Sequence, residues 1–359
     1  MTFMIAAAGT GGHVFPGLSV GEALLDLGAP REEILYVGGD RLEKEVYPRE
    51  GFAFLEVELR GLQRSLTPRN LTLPSIIFRA RSRIAEAIAG RGTRVVLGMG
   101  GYATVPAAMA ARRAGVALMS AEQNAEAGLA SRIAARWATR AFGSFPETLG
   151  LPRAEWVGNP VRTPFWAFDR EALKPTALRR YGIDRDTPVL GAFGGSLGAG
   201  AVNEAVASMV AGWNGHPIQV VHITGERDFA ALCDLRSAAA VNWRRRPFEG
   251  SMEWFYAACD LVVARAGGAV AELTATATPA VLIPGSFGSG GHQAGNARFL
   301  SGTGAAVTLE EGDAGRLGEK VESILLDETA LGRMREASGR LARPGAAHAV
   351  AGAMMEAAR

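Results

Sequence analysis

The chain has 359 residues, 48% of them hydrophobic and 21% charged, with a formal net charge of +2. That length exceeds one ordinary core and suits two domains of about 150–200 residues, while so small a charge gives no reason to expect nucleic acid as a partner. Cys233 and Cys259 have no metal-ligand spacing and fit a reducing compartment; no metal and no cofactor are expected.

Short apolar runs alternate with longer helical patterns, which predicts α/β architecture with parallel sheets covered on both faces. The first run, Phe3–Ala8, has no basic region before it and reads as a strand, not a signal peptide. It leads through Gly9-Thr10-Gly11-Gly12-His13 into a helix over Gly17–Leu27. Glycine lets a strand turn sharply and lets backbone approach a ligand, and the helix start offers unpaired N–H groups and partial positive charge to a phosphate. Strands at Ile34–Val37 and Ala53–Val57 follow. The stretch Leu71–Ile84 then sets Leu73, Ile76, Ile77 and Phe78 beside Arg79 and Arg81. Such a segment suits an anionic bilayer surface, and equally an amphipathic helix with its stripe in the core.

Strand Arg94–Leu97 leads into a second glycine loop, Gly98-Met99-Gly100-Gly101-Tyr102, and strand Val116–Ser120 into Glu122-Gln123-Asn124. Arg140–Phe142 and Ala154–Val157 complete the first half, and Gly158–Pro164 is the natural linker. The longest nearly uncharged run, Val95–Ala111, is interrupted by Gly98, Gly100, Gly101 and Pro106, so no bilayer-spanning segment is expected. The second half repeats the rhythm. Strand Val189–Phe193 enters Gly194-Gly195-Ser196-Leu197-Gly198 and a helix over Gly200–Val210. Strands at Gln219–Ile223, Ala239–Arg244, Leu261–Ala264, Ala280–Ile283 and Ala305–Thr308 follow. The expected division is 1–160, 161–343, and a closing segment 344–359 whose helix, Ala347–Ala358, packs back on the first domain.

The loops admit several chemistries. Val14 stands where the dinucleotide fingerprint needs its third glycine, which argues against NAD, and neither loop ends as a P-loop does. Gly194-Gly195-Ser196-Leu197-Gly198 matches the nucleophile elbow of serine hydrolases, but that reading leaves the first loop and the C-terminal His292-Gln293 cluster without a role. Simple tight turns are the bland alternative, weakened by a matching loop in each half.

Taken in order, GTGGHVFP at 9–16, GMGGY at 98–102, EQN at 122–124, GNPVR at 158–162, GGSLGA at 194–199, RAG at 265–267, the Glu272–Pro279 segment and HQAGNA at 292–297 resemble the MurG glycosyltransferases. The resemblance implies the GT-B architecture, two Rossmann-like domains with parallel sheets facing a central cleft. It also implies inverting transfer of N-acetylglucosamine from UDP-N-acetylglucosamine to undecaprenyl-pyrophosphoryl-N-acetylmuramyl-pentapeptide (lipid I), giving lipid II for peptidoglycan. Partners would be that donor, that lipid acceptor, an anionic membrane surface and, in principle, cell-wall synthesis or division proteins. The location would be peripheral, on the cytoplasmic face of the plasma membrane.

Site roles follow from the same resemblance. His13 would be the catalytic base, with Glu122 in reserve. Arg162, Ser196, Glu272, His292, Gln293, Asn296 and Asn124 would bind the donor, with Glu272 on the ribose hydroxyls. Thr10, Gly11, Gly12, Gly100, Gly101 and Tyr102 would cradle the acceptor pyrophosphate. The chain departs from the family at Ala8, Ala121, Leu197 and Gly291, and its Arg265–Glu272 segment is one residue short. Two other readings stay open: a UDP-N-acetylglucosamine 2-epimerase-like GT-B enzyme, and a non-catalytic nucleotide-sugar-binding protein.

Overall fold

The computed structural model describes residues 2–59, 72–195, 199–285 and 291–359. The chain divides into two compact units, Met1–Thr163 with Arg343–Arg359, and Pro164–Ala342.

The first unit is one seven-stranded parallel sheet in the order β3-β2-β1-β4-β5-β6-β7. Its strands are β1 (Thr2–Ala6), β2 (Ile34–Gly38), β3 (Ala53–Glu56), β4 (Thr93–Gly98), β5 (Ala117–Glu122), β6 (Arg140–Gly143) and β7 (Glu155–Trp156). The helices between them are α1 (Gly11–Asp26), α2 (Leu42–Arg49), α3 (Leu73–Arg91), α4 (Thr104–Ala114) and α5 (Leu129–Ala134). Strands with both faces covered read as continuous apolar runs, and β1, β2 and β4 do so. The first strand stops at Ala6 rather than Ala8, and Ala7 continues only by donating its N–H to the Val37 carbonyl at 3.1 Å.

Two aromatic residues bolt α1 to this sheet. Tyr36 and Tyr47 stack with centroids 3.9 Å apart, and their hydroxyls donate to the carbonyls of Gly17 (3.0 Å) and Val14 (3.2 Å). Gly21 faces the Tyr36 hydroxyl so closely that a β-carbon there would overlap it. The chain end, α14 (Ala346–Ala358), packs on the same helix, with the His348 ring 2.8 Å from the Asp26 carboxylate.

The second unit holds a six-stranded parallel sheet, β10-β9-β8-β11-β12-β13. Its strands are β8 (Val189–Phe193), β9 (Ile218–Ile223), β10 (Val241–Arg246), β11 (Leu261–Ala264), β12 (Ala280–Leu282) and β13 (Ala306–Thr308). The helices are α6 (Arg170–Tyr181), α7 (Gly200–Gly212), α8 (Glu226–Cys233), α9 (Met252–Ala258), α10 (Ala269–Ala275), α11 (His292–Gly302), α12 (Leu317–Leu325) and α13 (Glu328–Arg340). Its core joins α7 and α12 to the central strands through Val202, Val206, Leu261, Val263 and Val321.

The expected lipid-facing stretch needs correction. Leu73 and Ile76 are buried, in step with Ala80, Ile84 and Ile88, so helical spacing turns this stripe into the core. Phe78 alone of the large apolar residues named there is prominently exposed, at 53%. The Arg81 guanidinium lies 5.2 Å from its ring centroid, while Arg79 pairs with Glu58 at 3.1 Å. No helix among the described residues is long and apolar enough to cross a membrane.

Candidate active site

In the first unit the chemistry gathers at the C-terminal ends of β1, β4 and β5, the edge where ligands bind in such sheets. Gly9 turns the chain out of β1 with φ +112°, and α1 begins at Gly11. The first N–H groups of a helix have no partner within it, so a helix start such as that at Gly11–Gly12 has the chemistry to receive an anion. The second loop lies against the first. Gly100 and Gly101 both have left-handed backbone (φ +77° and +71°), and a β-carbon on Gly101 would come within 2.5 Å of the Ala8 carbonyl oxygen. Only glycine permits that approach.

His13, in the first turn of α1, sits where the loops meet. A β-carbon on Gly100 would lie 3.0 Å from its Cδ2, 3.2 Å from its Nε2 and 3.3 Å from Oε1 of Gln123. The Thr10 hydroxyl is 3.4 Å from His13 Nδ1. Thr10, Gly11, Gly12, His13, Gly100, Gly101 and half-exposed Tyr102 thus form one constellation. The Arg41 guanidinium stands 5.9 Å from the Tyr102 ring centroid.

Two buried carboxylates shape these loops. Glu43, which sequence reasoning missed, accepts the Gly9 N–H at 3.1 Å and the Gly39 N–H at 2.9 Å. Glu122 accepts the backbone and side-chain N–H groups of Asn124 (3.0 and 2.9 Å) and the Gly128 N–H (3.1 Å). Three N–H groups of its own loop thus converge on Glu122, which braces that loop and holds Asn124 in place. Gln123 donates to the Ala121 carbonyl at 3.3 Å, while its buried Oε1 has no hydrogen-bond partner among the described residues. Arg162 closes the unit with its guanidinium 5.7 Å from the Phe15 ring centroid of α1.

The second unit offers a different set. Ser196 lies outside the described residues; Gly195 before it has φ +96°. Glu272 is on α10 and its Oε2 accepts the Tyr256 hydroxyl at 3.0 Å. Arg265, just after β11, pairs with Glu311 at 2.6 Å and donates to the Ile283 carbonyl at 3.0 Å. Gln293, in the first turn of α11, accepts the Gly285 N–H at 2.8 Å, and Asn296 is buried with its amide donating to the Ala266 carbonyl at 2.9 Å. Arg265, Gly285 and Gln293 therefore form a cluster, and Asn296 braces the Arg265–Gly267 turn from beneath. His292 begins α11 with a buried Nδ1 that has no hydrogen-bond partner among the described residues. No cluster of three or more His, Cys, Asp or Glu side chains able to hold a metal occurs among the described residues. The Tyr256 and Glu311 contacts join residues distant in sequence and left no motif to find.

The glycosyltransferase family 28 N-terminal domain matches residues 3–143 and the family 28 C-terminal domain residues 189–350. A protein of Halorhodospira halophila named UDP-N-acetylglucosamine--N-acetylmuramyl-(pentapeptide) pyrophosphoryl-undecaprenol N-acetylglucosamine transferase is 38% identical over 98% of this chain and 96% of its own. Among solved structures, Acinetobacter baumannii MurG superposes with a TM-score of 0.79 at 24% identity, covering 99% of both chains. The UDP-GlcNAc 2-epimerase of Neisseria meningitidis gives 0.67 at 10% identity, covering 99% of this chain and 100% of that one. These likenesses show the expected GT-B fold. With both halves matched in order and a relative this similar along its length, the chain belongs to glycosyltransferase family 28.

Proposed function

We propose that this protein transfers N-acetylglucosamine from UDP-N-acetylglucosamine to the C4 hydroxyl of lipid I, forming lipid II with inversion at C1 of the donor sugar. The observation that carries the reading is His13, held where the two glycine loops of the first unit converge. In the tautomer that donates Nδ1–H to Thr10, Nε2 carries the lone pair that takes the proton as the C4 oxygen attacks C1 and UDP departs. A helix start favours the neutral imidazole that this role needs. Thr10, Gly11, Gly12, Gly100, Gly101 and Tyr102 form the acceptor-pyrophosphate cradle.

The donor belongs to the second unit in this reading, which makes 164–342 the donor domain and the rest the acceptor domain. Glu272 holds the ribose hydroxyls, and Ser196 and His292 serve the diphosphate. Gln293 contacts the sugar. Asn296, enclosed beneath the Arg265–Gly267 turn, serves the sugar through that turn. Arg162 and Asn124 contribute from the first unit. Backbone dipoles stabilise the charge developing on the departing diphosphate.

The acceptor lipid implies peripheral docking on the cytoplasmic membrane face. Phe78 with Arg81 is the surface we assign to it, in place of Leu73 and Ile76, and flotation with anionic vesicles that is lost in Phe78→Ser is the expected result. The decisive assay is incubation with UDP-N-acetylglucosamine and a short-chain lipid I analogue. UDP and a disaccharide product are expected; release of N-acetylmannosamine without acceptor would point instead to epimerisation, and binding without turnover to a non-catalytic protein.

A further inference from the structure

His222 is fully buried in β9, one residue before the strand ends, and the mechanism above does not use it. Its Nε2 lies 3.0 Å from Oδ1 of Asn203. The Asn203 amide nitrogen donates to the Thr224 carbonyl and to the Asp228 carboxylate, each at 2.8 Å. Oδ1 is therefore the acceptor end of that amide, and His222 must donate from Nε2–H. Burial, with the charge of Arg245 second, pulls the His222 pKa down to about 3, so the ring is neutral. Nδ1 then carries a buried lone pair with no hydrogen-bond partner among the described residues, and the ring stacks on Trp243 at 6.0 Å between centroids. An unsatisfied buried nitrogen is a cost that an apolar side chain would not carry, so packing alone does not account for histidine here.

What the bond achieves is a tie between two turns. Asn203 is the fourth residue of α7, the helix that follows the third glycine loop, and its own N–H donates to the Ala199 carbonyl at 2.9 Å. Thr224 and Asp228 flank the start of α8, and the Thr224 hydroxyl donates to the Gly225 carbonyl at 3.0 Å. Since β8 and β9 pair in parallel, both turns lie at the same C-terminal edge of the sheet.

We propose that His222 is a positioning residue for the donor phosphates: through Asn203 it locks the first turn of α7 against the Thr224–Asp228 turn, in the orientation a nucleoside diphosphate requires. This rests on the donor reading of the second unit. Calorimetry with UDP and initial rates with both substrates would compare wild type, His222→Leu and His222→Gln. The leucine variant should raise the UDP Kd and the donor KM about tenfold and leave the acceptor KM within about twofold, as expected for one lost buried hydrogen bond. Glutamine, whose amide can still donate, should restore most of the affinity. An unchanged donor KM in the leucine variant, or equal loss in both variants, would overturn the proposal. Should the leucine variant fail to fold, nitrogen NMR of the wild type decides. A neutral Nε2–H tautomer whose resonance moves on UDP addition supports the proposal, and a silent resonance under saturating UDP refutes it. Wild type that binds no UDP would remove the donor reading itself, a separate result.

Discussion

The two sheets carry glycine turns at equivalent edges, yet opposite chemistry braces them. In the first unit buried carboxylates gather backbone N–H groups: Glu43 takes those of Gly9 and Gly39, and Glu122 takes those of Asn124 and Gly128. In the second unit the braces at the Arg265–Gly267 turn are donors that reach carbonyl groups, Arg265 to Ile283 and Asn296 to Ala266, while the Gly285 N–H goes to the neutral amide of Gln293. A carboxylate consumes N–H groups and adds negative charge, so a phosphate beside it must rely on the helix start at Gly11–Gly12. The donor braces consume carbonyl groups and add no net negative charge, since Asn296 is neutral and Arg265 is paired with Glu311. A lipid pyrophosphate held weakly by the first unit and a nucleotide held tightly by the second would fit that difference.

The largest test removes His13, the base we propose for the first edge. His13→Ala should lower turnover on the order of 10²–10⁴-fold while UDP affinity stays near wild type, because the lost group belongs to the other unit. Near-normal turnover would take the base out of the loop junction. Glu272→Ala should be next, weakening UDP binding by about 1.5–3 kcal/mol in calorimetry with acceptor binding unaffected. Equal UDP affinity would mean that its bond to Tyr256 is its whole role.

Glu43→Ala sharpens the contrast between braces. It strands two N–H groups and should cost about 1–3 kcal/mol in denaturant unfolding, with acceptor KM raised and donor KM constant. If donor KM moves instead, the carboxylate brace does not act on its own edge alone. The smallest effect is in pH dependence. The depressed pKa of His222 means that the unfolded chain binds a proton the native state refuses between the ordinary value of 6.5 and about 3. Its contribution to stability is complete above that upper value and declines as pH falls through the window, by up to about 1.4 kcal/mol per pH unit. Unfolding midpoints should show this slope in wild type and a shallower one in His222→Gln.

Strand positions were legible because buried parallel strands are continuous apolar runs: Val189–Phe193 and Leu261–Ala264 coincide with β8 and β11 at both ends. At β10 the expected start, Ala239, gave way to Val241 because pairing with β9 begins there. The glycine loops and His13 were legible as motifs. Glu43 was not, since residues 9, 39 and 43 meet only after β1, β2 and α2 have packed. Nor was the fate of Leu73 and Ile76, where an apolar stripe fits a membrane and a core alike, and only the partner decides.

The overlap between Gly21 and the Tyr36 hydroxyl has a consequence for how this sequence can change over generations. Alanine inside a helix is favoured over glycine by about 0.8–1.0 kcal/mol, so α1 would gain by the exchange on local grounds. The exchange is closed off while the ring at 36 stands. Removing that ring first gives up its stacking on Tyr47 and its bond to Gly17. The two positions are therefore bound in their order of mutation, with a less stable intermediate on either route. A double-mutant cycle of Gly21→Ala with Tyr36→Leu should show strong non-additivity, the signature of two sites that must evolve as one.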